Sequence, residues 1–343
     1  MHALRLIEQG RPLVLEELPT PAPGPGELRV DLEACGVCHT DLHLRDGEEH
    51  LDASALPLTL GHEGIGRVSA VGEGVKGFAP GDRVGVPWLH DTCQACRDCL
   101  SGHEQICGDQ RAHGMQVDGA FAEQVIVQSA FAVPIPAGLD PVAAAPLLCA
   151  GVTAWGAVRK AALEPGNVCA IFGCGGLGQY GIQFARLWGA HVIAIDTSRE
   201  RLEVAASLGA DECLVSDETT GEALRARGGA DACINFAPTA AIWPAVEAGL
   251  ANRGRFVSVA MPPEPVSLSL NWLTWGTPVL TGTSVGGRLD LHDTLELAAR
   301  HDISIPTETI GMDGVNAALD RLAGRGGEPI RGRVVIDFRG GRV

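Results

Sequence analysis

The chain has 343 residues, 45% of them apolar and 20% charged, with a net charge of −16 and 11 cysteines. That length is more than one hydrophobic core usually serves, so two domains are expected, and the acidic balance argues against nucleic acid or anionic membrane as a partner. Its 45 glycines lie among apolar runs, which points to tight turns and close backbone approaches rather than to disorder.

Residues 1–10 alternate charged and apolar side chains, with no apolar h-region or cleavage-like segment, and predict a first strand and a cytoplasmic protein. In a reducing cytosol the cysteines bind metal or lie buried instead of pairing as disulfides. Residues 1–150 read as β-rich: 28–32 (LRVDL) and 64–68 (GIGRV) are short strands between Pro/Gly punctuation such as 21–26 (PAPGPG).

Within that region, 38–43 (CHTDLH) and 61–63 (GHE) carry chemistry, and 147–151 (LLCAG) joins them. Two thiolates and an imidazole, Cys38, Cys149 and His62, are a ligand set that leaves zinc one open position, as a catalytic zinc requires. They come from separate segments, and each alone is read as simply as a buried cysteine or a satisfied polar histidine. Asp41 suits the second ring N–H of His62 and equally the start of a helix. Glu63 either visits the metal during ligand exchange or balances charge. Thr40 and His43 are three apart and share a helix face, which fits a proton route from a buried hydroxyl to water and also a solvated turn with a capping threonine.

Cys93, Cys96, Cys99 and Cys107 follow the spacing C-x2-C-x2-C-x7-C, which suits four thiolates around one tetrahedral structural zinc. The polar residues between them cannot build an apolar core, so metal is the expected organiser. A loop of free thiols and a pair of disulfides are the two alternatives.

Residues 141–158 carry no charge, but Pro146, Gly151 and Gly156 interrupt them, so the segment reads as a buried helix and connection and not as a membrane span. Beyond 152 the texture changes. An apolar strand at 168–172, helical spacing at 178–188 and a second buried strand at 191–195 form a βαβ unit. Gly173, Gly175 and Gly178, with Gly176 and Leu177 between them, match G-x-G-x-x-G at the required place between strand and helix. Asp196, 18 residues beyond Gly178, is positioned to accept from the adenosine ribose and selects NAD over NADP, with Arg199 and Arg201 pulling the other way. Strands at 212–215, 232–236, 255–260 and 279–283, most separated by helical segments, predict a doubly wound parallel sheet. The alternating 333–337 returns to the first domain.

Taken in order, GVCHTDLH, LGHEG, the four-cysteine loop, LLCAGVT and the glycine fingerprint resemble a zinc-dependent alcohol dehydrogenase of the medium-chain dehydrogenase/reductase family, over essentially the whole length. The resemblance implies an α/β fold, with a β-rich GroES-like catalytic domain at 1–151 and 289–343 and a Rossmann cofactor domain at 152–288. Cys2His is the ligand set known for the zinc of such enzymes, so the likeness assigns Cys38, His62 and Cys149 to catalytic zinc, Thr40 and His43 to a proton relay, and Asp41 to the support of His62. It further implies that His39 and Arg333 lie near the pyrophosphate, Thr153 near the nicotinamide and Arg201 near the adenosine ribose. A solvated surface charge is the alternative for His39, Arg201 and Arg333. Trp88 resembles an aromatic that narrows the substrate pocket, or is a core tryptophan, and Arg45 stands where small-alcohol enzymes carry an aromatic.

The expected activity is oxidation of small-molecule alcohols to aldehydes or ketones, and the reverse, with NAD and two zinc ions per chain. A homo-oligomer is expected, a tetramer before a dimer. A zinc polyol dehydrogenase of the same family is one alternative, and a noncatalytic zinc-binding interaction protein another.

Overall fold

The computed structural model describes residues 1–340. The chain divides into two compact units, Met1–Cys149 with Gly286–Val343, and Ala150–Val285.

The first unit is built around the 11-residue strand Glu27–Val37. It pairs antiparallel with Gly64–Val71, Gln124–Gln128 and Arg333–Asp337 in a seven-stranded sheet that continues through Arg83–Val86 to Val133–Pro134 on one side and to Thr307–Ile310 on the other. Leu28, Val30 and Leu32 alternate inward with period two and pack in a core with Leu4, Leu6, Phe121, Val125 and Val127. Each such side chain contributes roughly 1.5–3 kcal/mol by leaving water. Strands Thr307–Ile310 and Arg333–Asp337 run parallel, with helix Val315–Leu322 between them in sequence. A two-stranded ribbon, Leu89–Asp91 with Arg111–Ala112, clasps the ends of the four-cysteine loop.

Both strands expected at 28–32 and 64–68 are longer than their alternating cores, because ladder hydrogen bonds persist where the side chains lose their pattern. At Cys38 the chain leaves the sheet and enters helix His39–Asp46. Downstream, the uncharged segment forms helix Pro141–Ala144 and the 3₁₀ turn Ala145–Leu148. Among the described residues no single helix is long and apolar enough to cross a membrane.

The second unit holds six parallel strands in the spatial order Glu212–Val215, His191–Asp196, Val168–Phe172, Ala230–Asn235, Leu250–Ser258, Val279–Gly282. In chain order this is 3-2-1-4-5-6, the doubly wound arrangement in which a dinucleotide sits beyond the carboxyl ends of the strands. Cys169, Ala170, Ile171 and Phe172 are buried, as a strand covered on both faces demands. The strand expected at 255–260 begins earlier, at Leu250, because backbone pairing of Ala230 with Leu250 spans a bulge that polar Asn252 and Arg253 conceal.

Candidate active site

Cys38 is the N-cap of helix His39–Asp46, and the Asp41 carboxylate accepts its N–H at 2.9 Å. The same carboxylate accepts Gly61 N–H at 3.0 Å and stands 3.5 Å from His62 Nδ1. Both readings of Asp41 therefore hold at once: it starts the helix and faces the imidazole. His62 is fully buried, and neither ring nitrogen has a hydrogen-bond partner. Ligand atoms of Cys38, His62, Glu63 and Cys149 all lie within 4.8 Å of one another.

The electrostatics of this cluster are those of a cation site. Hydrogen bonding from Cys149, against the effect of burial and helped by His62, holds the Cys38 thiol well below its ordinary value, while Cys149 is pushed well above its own. A divalent cation held by the two sulfurs would favour the thiolate form of both. Burial raises Glu63 to about 7 against the pull of Arg333. Arg333 Nη2 donates to Glu63 Oε1, while Oε2 is buried with no hydrogen-bond partner. A Cβ on Gly36 would stand 1.8 Å from Oε2, so only glycine leaves the carboxylate its place.

Trp88 meets His62 edge to face, ring centroids 5.1 Å apart, and is half-buried, as a wall of the cluster. Thr40 Oγ1 lies 3.7 Å from Cys38 Sγ. His43 sits one turn on, half-exposed, with Nδ1 2.5 Å from Glu48 Oε2. His39 is exposed. Arg45 is buried, donating to Asp46 at 2.8 Å and pairing with Asp320 at 2.9 Å; its charge is spent anchoring its helix to Val315–Leu322.

The four-cysteine loop forms the second cluster, with the sulfurs of Cys93, Cys96, Cys99 and Cys107 also within 4.8 Å of one another. Backbone N–H groups of Cys96 and Cys99 donate to the sulfurs of Cys93 and Cys96 at 3.3 and 3.5 Å. Backbone N–H groups of Ala95 and Cys96 lower Cys93 to about 7, toward the thiolate a metal needs. None of the 11 cysteines forms a disulfide; within the loop Cys93 Sγ stands 3.5 Å from Cys107 Sγ and 3.9 Å from Cys99 Sγ, too far for an S–S bond. Four sulfurs saturate a tetrahedral ion, which makes this the closed cluster.

Two further networks escaped sequence reasoning. Glu104, buried inside the loop, accepts from Arg288 Nε at 2.9 Å, Nη2 at 2.8 Å and the Arg288 backbone N–H at 2.7 Å, and that guanidinium also covers the Phe131 ring. His113 Nδ1 donates to the Pro87 carbonyl at 2.8 Å, leaving Nε2 to accept from His90 Nδ1 at 3.0 Å. Burial, then the charge of His90, press His113 down to about 3. A glutamate or histidine inside a polar loop gives no periodic signal.

In the second unit strand Val168–Phe172 runs into Gly173 at φ 88° and then into helix Gly176–Leu187. A Cβ on Gly178 would meet the Gly173 carbonyl oxygen at 1.9 Å, whereas one on Gly175 would meet nothing within 4 Å. The one glycine allows close packing; the other leaves open backbone at a helix N-terminus, where a phosphate fits. Asp196 ends its strand buried, its Oδ2 accepting Cys174 N–H at 2.7 Å and its Oδ1 accepting Ser198 N–H at 2.9 Å. Arg201 approaches Oδ2 at 3.9 Å. Thr153 is buried in helix Ala150–Ala161.

Two family models match the chain: an alcohol dehydrogenase GroES-like domain over residues 24–137 and a zinc-binding dehydrogenase over 176–300. An alcohol dehydrogenase of Rhizobium meliloti is 36% identical over 345 aligned positions, covering 99% of both chains. The chain belongs to the zinc-dependent alcohol dehydrogenases of the medium-chain dehydrogenase/reductase family. Another relative, an alcohol dehydrogenase of Geobacillus stearothermophilus, is 37% identical over 96% of this chain and 98% of its own. Among solved structures, the alcohol dehydrogenase of Aeropyrum pernix superposes with a TM-score of 0.88 at 32% identity, over 98% of this chain and all of its own. A cinnamyl alcohol dehydrogenase of Sorghum bicolor gives 0.90 at 32%, over 99% and 98%. This dehydrogenase uses zinc and NAD to interconvert alcohols and carbonyl compounds.

Proposed function

We propose that the reaction is run at a zinc held by Cys38, His62 and Cys149, with a second, structural zinc on Cys93, Cys96, Cys99 and Cys107. The observation that carries this reading is His62, a fully buried imidazole that makes no hydrogen bond at either nitrogen, Nδ1 standing 3.5 Å from Asp41, beside two cysteine sulfurs. Orphaned buried polar atoms cost about 1–3 kcal/mol each, and a ligand set is what repays such an arrangement. When bound, zinc supplies a Lewis acid for the alcohol oxygen and NAD the hydride acceptor.

The chain's own residues then do the following. Asp41 orients His62; Trp88 walls the substrate position and favours slender alcohols. Thr40 accepts the substrate hydroxyl proton as it gives up its own toward His43, which releases a proton to water. Glu63 alternates between Arg333 and the fourth ligand position. The backbone from Gly173 to Gly178, with Gly175, Gly176 and Leu177, receives the pyrophosphate, assisted by His39 and Arg333. Each oxygen of Asp196 keeps a lone pair after its backbone hydrogen bond, enough to accept from the ribose hydroxyls; this supports NAD over NADP, with Arg201 near the same ribose and Thr153 near the nicotinamide. Oxidation releases a proton, so alkaline pH favours it. We further read the enzyme as cytoplasmic and as a homo-oligomer, a tetramer before a dimer.

Cys38→Ser tests the assignment: turnover is lost while NADH still binds, and metal content falls from about two ions per chain to about one. Unchanged turnover in the zinc-depleted variant refutes the open cluster as the engine. A panel of ethanol, butanol, benzyl alcohol and sorbitol tests the polyol alternative, and a kcat/KM preference for NADP overturns the reading of Asp196.

A further inference from the structure

We infer that Glu48 is a positioning residue for His43, holding its imidazole in the tautomer that leaves Nε2 free to take the substrate proton. The inference rests on the relay reading above and adds to it a residue outside the family motifs. Helix His39–Asp46 stops at Gly47, whose φ of 81° turns the chain back over the last turn. Three consecutive N–H groups then converge on the His43 carbonyl, those of Glu48 and Glu49 at 2.9 and 3.2 Å behind that of Gly47. The turn is thereby tied to His43 itself, and it delivers Glu48 Oε2 to 2.5 Å from Nδ1.

A carboxylate only accepts, so Nδ1 must carry the hydrogen. Neutral imidazole has one such hydrogen, and Nε2 is left with its lone pair. Without Glu48 the hydrogen is shared between the two nitrogens, and only the Nδ1-protonated fraction is ready to accept at Nε2. The other ring near His43 is His39, at 6.3 Å between centroids, and among the described residues Glu48 is the ion-pair partner of His43. The step balances: Nε2 accepts the proton, the Nδ1–H bond is kept, the imidazolium faces the carboxylate, and Nε2 then gives its proton to water. Exposed pairs of this kind contribute little to stability, so its loss leaves the fold intact.

The test uses the full-length, zinc-loaded protein with 15N-labelled histidine. Long-range 1H–15N correlations should find His43 protonated at Nδ1 in the native chain and mixed between nitrogens in Glu48→Ala, with single-turnover alcohol oxidation slowed roughly three- to tenfold at unchanged KM. Glu48→Gln keeps an acceptor oxygen and should preserve both the tautomer and the rate to within about twofold. An Nε2-protonated His43 in the native chain, or Glu48→Ala with native tautomer and rate, overturns the proposal. His43→Ala separates it from the reading beneath: native single-turnover kinetics there remove the relay, and the kinetic role of Glu48 with it, whereas a slow His43→Ala beside a fast Glu48→Ala removes Glu48 alone.

Discussion

The two cysteine clusters of the first unit are assembled on opposite terms. The closed one gathers four like ligands from a single loop of fifteen residues, with sulfurs that backbone N–H groups already approach. The open one gathers unlike ligands from three distant segments, buries all of them but the half-buried Cys149, and leaves His62 and one oxygen of Glu63 without hydrogen-bond partners. Local closure makes a site that organises its own loop. Distant convergence makes one that the surrounding fold must hold under electrostatic strain, and such strained groups are where chemistry is found.

If that contrast is sound, the deepest effect belongs to the open cluster. Cys149→Ala should cut turnover at least about 10³-fold and retain the structural zinc, with little change in melting temperature; measured metal content and calorimetry decide it. The closed cluster should behave in reverse. Cys96→Ser should lose its zinc and lower stability by roughly 3 kcal/mol or more, while the initial rate of freshly prepared enzyme stays within a few-fold. Equal loss of rate in both variants would erase the distinction.

Two smaller changes sharpen it. Glu104→Ala leaves Arg288 without the acceptor that joins the closed loop to the start of helix Arg288–His301, and should cost about 1–3 kcal/mol in urea unfolding. His113 follows directly on the ribbon strand Arg111–Ala112 that clasps the loop and is held neutral. Its folded value, about 3, lies below the ordinary unfolded value near 6.5, so the unfolded chain binds the extra proton between those limits. The stability due to neutral His113 is therefore complete above about pH 6.5 and drains as pH falls toward 3, by at most about 1.4 kcal/mol per pH unit. Unfolding curves of His113→Gln between pH 4 and 7 should be flatter than those of the native chain; an identical slope contradicts the assignment.

Much of this was legible before folding was considered. Spacing alone marked the closed cluster, because ligands within one loop must be neighbours in space. Strand, glycines and helix in immediate succession marked the fingerprint. The open cluster was readable only through resemblance, since nothing in the local sequence of Cys149 says that it meets Cys38. Arg45 shows the same limit: the sequence marks it only as standing where small-alcohol enzymes carry an aromatic, and the fold buries it against Asp46 and Asp320.

What the amino-acid order by itself determined are the features carried by contiguous residues: the elements, the four-cysteine loop, the dinucleotide turn and the helix bearing Thr40 and His43. Tertiary structure alone decided which distant groups share a charge. Arg333 lies 270 positions from Glu63 yet donates to it, and Arg288 lies 184 positions from Glu104 yet donates to it. The reason is physical: hydrogen bonds and ion pairs act over a few ångströms, and for residues far apart in sequence only the packed fold sets that distance.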